Sequence, residues 1–164
     1  MSEFEKSITI QYSLISDRST LSVENQKLLK SAQEASKLAY APYSKFHVGA
    51  AAMLSNGEMV TASNKENASF PAGICAERNL LNYISDHYLG QKIIALAVSA
   101  NPVEFELNEP VSPCGICRQV MCESERLQNQ PYQILLGATS GTVLIFNSAA
   151  SLLPFHFYLK ELKK

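Results

Sequence analysis

The sequence predicts an α/β fold: a three-layer α/β/α sandwich around a five-stranded mixed sheet, preceded by an N-terminal extension. Three observations carry this. Helix-type and strand-type segments alternate in the order α-β-β-α-β-α-β-β-α, which puts helices on both faces of a mixed sheet. The first two strand-type runs flank Asn56-Gly57, a strong hairpin signal, so they are antiparallel; runs separated by a helix are expected to be parallel, with right-handed crossovers. The chain has 164 residues, 46% hydrophobic and 18% charged, with no repeat or linker, which suits one compact domain.

Residues 1–20 read as a polar extension, and residues 21–164 as a single domain. The extension contains a short alternating piece, "SITIQYSL", able to add an edge strand. Ser22 then caps a helix with Glu24 in its first turn, and Leu28, Leu29, Ala32, Ala35 and Leu38 form one apolar face until Pro42 stops it. The hairpin "HVGAAAMLSNGEMVTAS" follows, and its small residues Gly49 to Ala52 imply close approach on both faces. After the polar loop "NKENASFPAG" comes a helix from about Cys75 to Tyr88. "KIIALAVSA" reads as a central strand, "NPVEFELNEPVSP" as a loop, and Cys114 to about Leu127 as another helix. "YQILLGA" and "TVLIFN" supply the last two strands, and "SAASLLPFHFYLKELKK" a short C-terminal helix or two.

The formal net charge is −1, with no Lys/Arg-rich run, so the chain lacks the electrostatic footprint of a nucleic-acid or anionic-membrane binder. The N-terminal "MSEFEKSITI" does not read as a secretory signal, and the apolar run "IIALAV" is far short of the roughly 20 residues of a membrane span. The expected location is cytoplasmic. Four cysteines in a reducing compartment point to metal ligands, catalytic groups or buried thiols rather than disulfides.

Cys114 and Cys117 form a Cys-x-x-Cys pair at a helix start, where two thiols share a face and the helix N-terminus favours thiolates. Alone, the pair fits half a zinc site, a redox pair or two buried thiols. Cys75 also opens a helix. If both helices start at the same end of the sheet, three thiolates converge on one ion, and three protein ligands with an open fourth position are the pattern of catalytic zinc. Cys122 is five residues past Cys117, about 140° around the axis, and reads as a core residue. Glu77 stands two residues after Cys75. It suits either the helix N-terminus or a proton carrier for water beside a metal.

Zinc deaminases combine a three-Cys or His/Cys/Cys site with a glutamate that is not a ligand and a Pro-Cys-x-x-Cys run. Here these are Cys75-Ala76-Glu77 and Pro113-Cys114-Gly115-Ile116-Cys117. From about Ser22 to Leu162 the chain resembles the small, zinc-dependent, homotetrameric cytidine deaminases, through "APYSKFHVGAA", "NKENASF", "ICAERN", "SPCGICRQVM" and "LLPFHF". The resemblance implies one Zn²⁺ per subunit on Cys75, Cys114 and Cys117, with Glu77 carrying protons among the attacking water, pyrimidine N3 and the leaving ammonia. It implies that Asn64 and Glu66 bind the ribose 3′-hydroxyl, that Phe46 packs on the pyrimidine, and that the Ser112 carbonyl and Ala76 backbone contact the base. Phe157 would enter a neighbouring subunit's site. Three thiolates leave zinc with surplus negative charge, which a cation donating to sulfur offsets; Arg78 matches the family residue in that role, with Gln119 in support.

The implied reaction is hydrolytic deamination of free cytidine and 2′-deoxycytidine to uridine and 2′-deoxyuridine in pyrimidine salvage. Two other readings stand beside it: a deaminase of a cytosine-containing antibiotic such as blasticidin S, and a non-catalytic zinc-stabilised binding protein. Lys65, Phe70 and the "PAG" run depart from the family beside the sugar, where Val or Ile, Tyr and a "GLT"-like run are usual. His47, His87 and His156 are expected not to be ligands.

Overall fold

The first helix, α1 (Val23–Ser36), starts where Ser22 Oγ accepts from the Asn25 N–H at 3.2 Å, satisfying one free donor of the first turn. The computed structural model describes residues 4–107 and 109–158. After α1 the chain forms β2 (Phe46–Leu54), β3 (Met59–Ser63), α2 (Ala76–His87), β4 (Ile93–Pro102), α3 (Gly115–Gln128), β5 (Gln133–Ala138) and β6 (Val143–Phe146), with β1 (Ser13–Ile15) ahead of them.

The sheet has six strands in the order β1-β6-β5-β4-β2-β3, one more than the five expected. The sixth is β1. It pairs antiparallel with β6, Leu14 opposite Leu144, and Tyr12 stacks on Phe146 with ring centroids 5.7 Å apart. Arg18 fastens the same segment by donating to the carbonyls of Ala138 at the end of β5 and of Thr139, Ser140 and Gly141 in the turn to β6. The uncharged stretch thus covers an edge that would otherwise expose unpaired backbone.

The β2–β3 hairpin turns at Gly57, whose φ of +85° suits glycine and whose N–H donates to the Leu54 carbonyl at 2.9 Å. β4 pairs antiparallel with β2 and parallel with β5, so the sheet is mixed. β3 runs in the same direction as β4 but is separated from it by β2.

Alternation along the strands divides the core. Ala51, Ala97, Leu135 and Val143 pack with Leu28, Leu29 and Ala32 of α1 on one face. Ala50, Ala52, Leu96, Val98, Ile134 and Leu136 pack with Leu80, Ile84 and Met121 of α2 and α3 on the other. Gly49 lets α1 lie against the sheet, because a Cβ there would sit 2.0 Å from the Ala32 carbonyl oxygen.

Two other details differ from expectation. Leu38 is 73% exposed, because α1 ends two residues before it. The C-terminal stretch forms only a short 3₁₀ turn, Ala149–Ser151, and then runs without helix to residue 158; the remainder of the expected helix lies outside the described residues.

α2 follows β3 and α3 follows β4, two strands of the same direction, and both helices cover the same face. Their N-termini therefore open at the same end of the sheet, where the ligating residues meet.

Candidate active site

Cys75 and Cys114 are the N-cap residues of α2 and α3, and neither side chain caps its helix. Both sulfurs face a common point instead. With Cys117, one turn into α3, all three lie within 4.8 Å of one another, and the Cys114 and Cys117 sulfurs are 3.5 Å apart. Cys117 is buried, Cys75 half-buried and Cys114 exposed, so the cluster opens toward solvent on one side. Three soft donors around one point, with a side left open, fit a zinc ion.

Cys75 and Cys117 each bear on the other's protonation. Hydrogen bonding from Cys117, helped by Cys114 and the nearby charge of Arg78, holds the Cys75 thiol down at about 6. The Cys117 proton is retained for the complementary reason, its hydrogen bond to Cys75 together with burial, and its pKa is raised. Cys122 stands apart in the core, as expected, and burial pushes it up to about 11. Among the described residues no histidine joins the cluster; His87 and His156 each meet a backbone carbonyl, of Tyr83 and Leu153.

Glu77 is in the first turn of α2 and only 5% exposed. Burial, with the Cys75 negative charge added, raises its carboxyl to about 7. A group with this pKa can both take and return a proton near neutrality. It lines a cavity of about 590 Å³ with Phe46, Asn64, Glu66, Cys75, Ser112 and Cys114. Ala76 is fully buried between the ligand and the glutamate.

At the far end of the cavity, Asn64 is engaged with β2. Its Oδ1 accepts from the Val48 N–H at 2.8 Å and its Nδ2 donates to the Phe46 carbonyl at 2.9 Å. A primary amide has two donors and two acceptor sites, so one of each remains. Glu66 Oε2 accepts from the N–H groups of Tyr43 at 2.9 Å and Ser44 at 3.3 Å. Hydrogen bonding to the Ser44 side chain leads the causes that hold its carboxyl below the usual range.

Two of the residues that depart from the family pattern now have positions. Lys65 borders the cavity, and its ammonium donates to the Leu38 carbonyl at 2.7 Å. Phe70 is 75% exposed at the rim, edge-on to Tyr43 with centroids 5.8 Å apart.

Gln119, expected to support Arg78, holds the C-terminal segment instead: its Nε2 donates to the Phe157 carbonyl at 2.6 Å, and its Oε1 accepts from the Phe157 N–H at 2.9 Å. The Phe157 side chain stays outside the 590 Å³ cavity and is 68% exposed. It borders a larger groove of about 810 Å³ between α2 and α3. Among the described residues, the one cluster of possible metal ligands borders the smaller cavity and not this groove.

Two polar residues of α3 carry no signal in the motif spacing, Arg118 and Glu125. Arg118 donates to the Pro113 carbonyl at 2.7 Å and the Leu152 carbonyl at 3.1 Å. Buried Glu125 accepts from the Tyr132 and Ala149 N–H groups and from Ser148 Oγ. The one local sign of Glu125 is a charged residue at a helix position that faces the core.

Residues 22–131 match the family described as the cytidine and deoxycytidylate deaminase zinc-binding region. The chain is 36% identical over 141 residues to a cytidine deaminase of Halalkalibacterium halodurans, covering 85% of this chain and 98% of that protein. It is 35% identical over 112 residues to a cytidine deaminase of Mycobacterium tuberculosis, covering 66% of this chain and 80% of that protein. Among solved structures, the cytidine deaminase from Burkholderia pseudomallei superposes with a TM-score of 0.68 at 36% identity, over 80% of this chain and 97% of that one. The Mycobacterium tuberculosis enzyme superposes with a TM-score of 0.63 at 31% identity, over 84% and 99% of the two chains.

Proposed function

The chain belongs to the cytidine and deoxycytidylate deaminase family, and from that premise we propose that it deaminates free cytidine and 2′-deoxycytidine in pyrimidine salvage. The observation that carries this reading is the convergence of three thiols and one buried carboxyl on a single cavity. Water adds at C4 of the pyrimidine, the C4–N bond breaks, and uridine or 2′-deoxyuridine leaves with ammonia.

Cys75, Cys114 and Cys117 would hold one zinc ion per subunit. When bound, zinc supplies Lewis acidity that brings the pKa of water at its open position toward neutrality. Glu77 takes one proton from the attacking water and passes it to pyrimidine N3, then takes the second from the hydroxyl now on C4 and passes it to the departing amine, so both protons of one water leave in uridine N3–H and ammonia. Its pKa of about 7 suits both directions of transfer. Arg78 offsets the surplus negative charge of three thiolates, in keeping with its effect on Cys75.

Phe46 packs against the pyrimidine, and the Ser112 carbonyl and Ala76 backbone contact its polar edge. Asn64 and Glu66 bind the ribose 3′-hydroxyl, Asn64 through its remaining donor and acceptor and Glu66 through its other oxygen. Phe157 completes the site of a neighbouring subunit in a homotetramer. No described helix is long and apolar enough to cross a membrane.

The test is a panel of cytidine, 2′-deoxycytidine, cytosine, cytidine monophosphate and blasticidin S, with metal content measured on the same sample. Both nucleosides should be turned over by protein containing one zinc per chain. Turnover of blasticidin S alone would make the chain an antibiotic deaminase, and no turnover of any substrate by zinc-loaded protein would leave a binding role.

A further inference from the structure

α3 carries two of the three clustered thiols near its start, and along its length it grips the C-terminal segment. Glu125 holds Ser148 and Ala149, Arg118 holds Leu152, and Gln119 holds both backbone polar groups of Phe157. Arg118 differs from the other two because it also reaches backward. Its Nε donates to the Pro113 carbonyl at 2.7 Å while its Nη1 donates to the Leu152 carbonyl at 3.1 Å.

We infer that Arg118 is a positioning residue that couples the metal-binding turn Pro113–Cys117 to the segment Leu152–Phe157, so that metal binding and ordering of Phe157 stabilise each other. The inference rests on the zinc site proposed above.

The geometry supports it at each link. Pro113 immediately precedes Cys114, the N-cap and ligating residue, so fixing the Pro113 carbonyl fixes the peptide plane that leads into the ligand. Leu152 ends the 3₁₀ turn Ala149–Ser151 and begins the run to Phe157. A guanidinium is a rigid planar fork of donors, so holding one carbonyl sets where the other must lie. Both of these partners are neutral carbonyls from different segments, an arrangement that joins backbone to backbone. Gln119, the next residue, pins the far end of the same run, which leaves the Phe157 ring exposed on a backbone held at both polar groups. If the metal orders the turn and the turn orders the tail through one side chain, the coupling is reciprocal: an ordered tail must strengthen metal binding by the same factor.

The test measures amide hydrogen exchange at Leu152, Leu153 and Phe157, with and without zinc, in wild type, Arg118→Gln and Arg118→Lys. Zinc affinity is measured in parallel by competition with a chromophoric chelator. In wild type, zinc should slow exchange at these amides about tenfold. In Arg118→Gln that dependence should vanish and zinc affinity should fall by a similar factor. Arg118→Lys, which has a point charge in place of the fork, should recover only part of both effects. An ordinary structural brace would loosen the tail equally with and without zinc and leave zinc affinity unchanged, which would overturn the inference. So would tail exchange in wild type that ignores zinc, a result needing no variant to fold. Nucleoside turnover is assayed separately: an inactive wild type that binds zinc and slows its tail would remove the proposed reaction and leave the coupling standing.

Discussion

The side-chain amide of Asn64 clasps the backbone of Phe46 from the neighbouring strand end: Nδ2 donates to the Phe46 carbonyl while Oδ1 accepts from the N–H of Val48. The aromatic ring expected to hold the pyrimidine is thus aimed by the residue expected to hold the sugar.

Asn64→Ala should therefore lose two interactions together. Leaving two half-buried backbone groups unpaired costs about 1–3 kcal/mol, visible as a lower urea midpoint. KM for cytidine should rise more than kcat falls, since the reacting groups are untouched. A KM equal to wild type would remove Asn64 from the substrate site.

Glu77→Gln should retain zinc and fold at least as stably, because a neutral amide replaces a carboxyl whose charged form is penalised by burial. Turnover should fall by about 10²–10⁴ or more, the usual scale of acid–base catalysis. Steady-state rates on metal-analysed protein check this, and a variant above a tenth of wild-type activity would show that another group moves the proton.

Cys117→Ser should lose tight metal binding, because a neutral hydroxyl is a poor replacement for a thiolate ligand. A ligand that binds only the folded state at 100 times its Kd stabilises it by about 2.7 kcal/mol. A chelator should thus lower the melting temperature of the wild type and leave that of Cys117→Ser unchanged. Equal shifts in the two proteins would place the ion elsewhere.

Glu66 supplies a pH dependence with a definite sign. Its carboxyl is held below its unfolded value, first by hydrogen bonding to Ser44. Its contribution is therefore present above the unfolded glutamate pKa of about 4.3 and is lost as pH falls through the lower folded value. The gap in urea midpoint between wild type and Glu66→Gln should be open at pH 6 and close as pH falls below about 4.3. A gap independent of pH would mean that the carboxylate's charge contributes nothing to holding the Tyr43–Ser44 turn.

Gly49→Ala tests how closely α1 approaches the sheet. The added Cβ would meet backbone atoms, the Ala32 carbonyl oxygen at 2.0 Å and the Ser36 nitrogen at 2.4 Å, so no side chain can rotate aside. Displacing the helix should cost about 1–3 kcal/mol, the usual range for overpacking, with zinc content unaffected because the cluster is on the opposite face. Chemical denaturation and metal analysis measure the two effects.

The features legible in the sequence by itself are those whose causes are local. Ser22 caps α1, Cys75 and Cys114 begin α2 and α3, and Asn56-Gly57 turns the hairpin, each through the conformational preferences of a few adjacent residues. The spacing of Cys75, Cys114 and Cys117 marks three thiols able to meet at one point, with Glu77 beside them, once two helices are expected to start at one end of a sheet.

Tertiary structure alone decided the pairings between distant segments. β1 lies beside β6, more than a hundred residues away, so the sixth strand had no signature beyond a short alternating run. Gln119 finds its partner 38 residues on, Arg118 divides its donors between residues 113 and 152, and Lys65 turns back to Leu38. Long polar side chains can rotate to many acceptors, and which one each meets depends on where the fold brings another segment's backbone. Caps, turns and periodicity are written in neighbouring residues; strand partners and side-chain partners exist only after the chain has closed on itself.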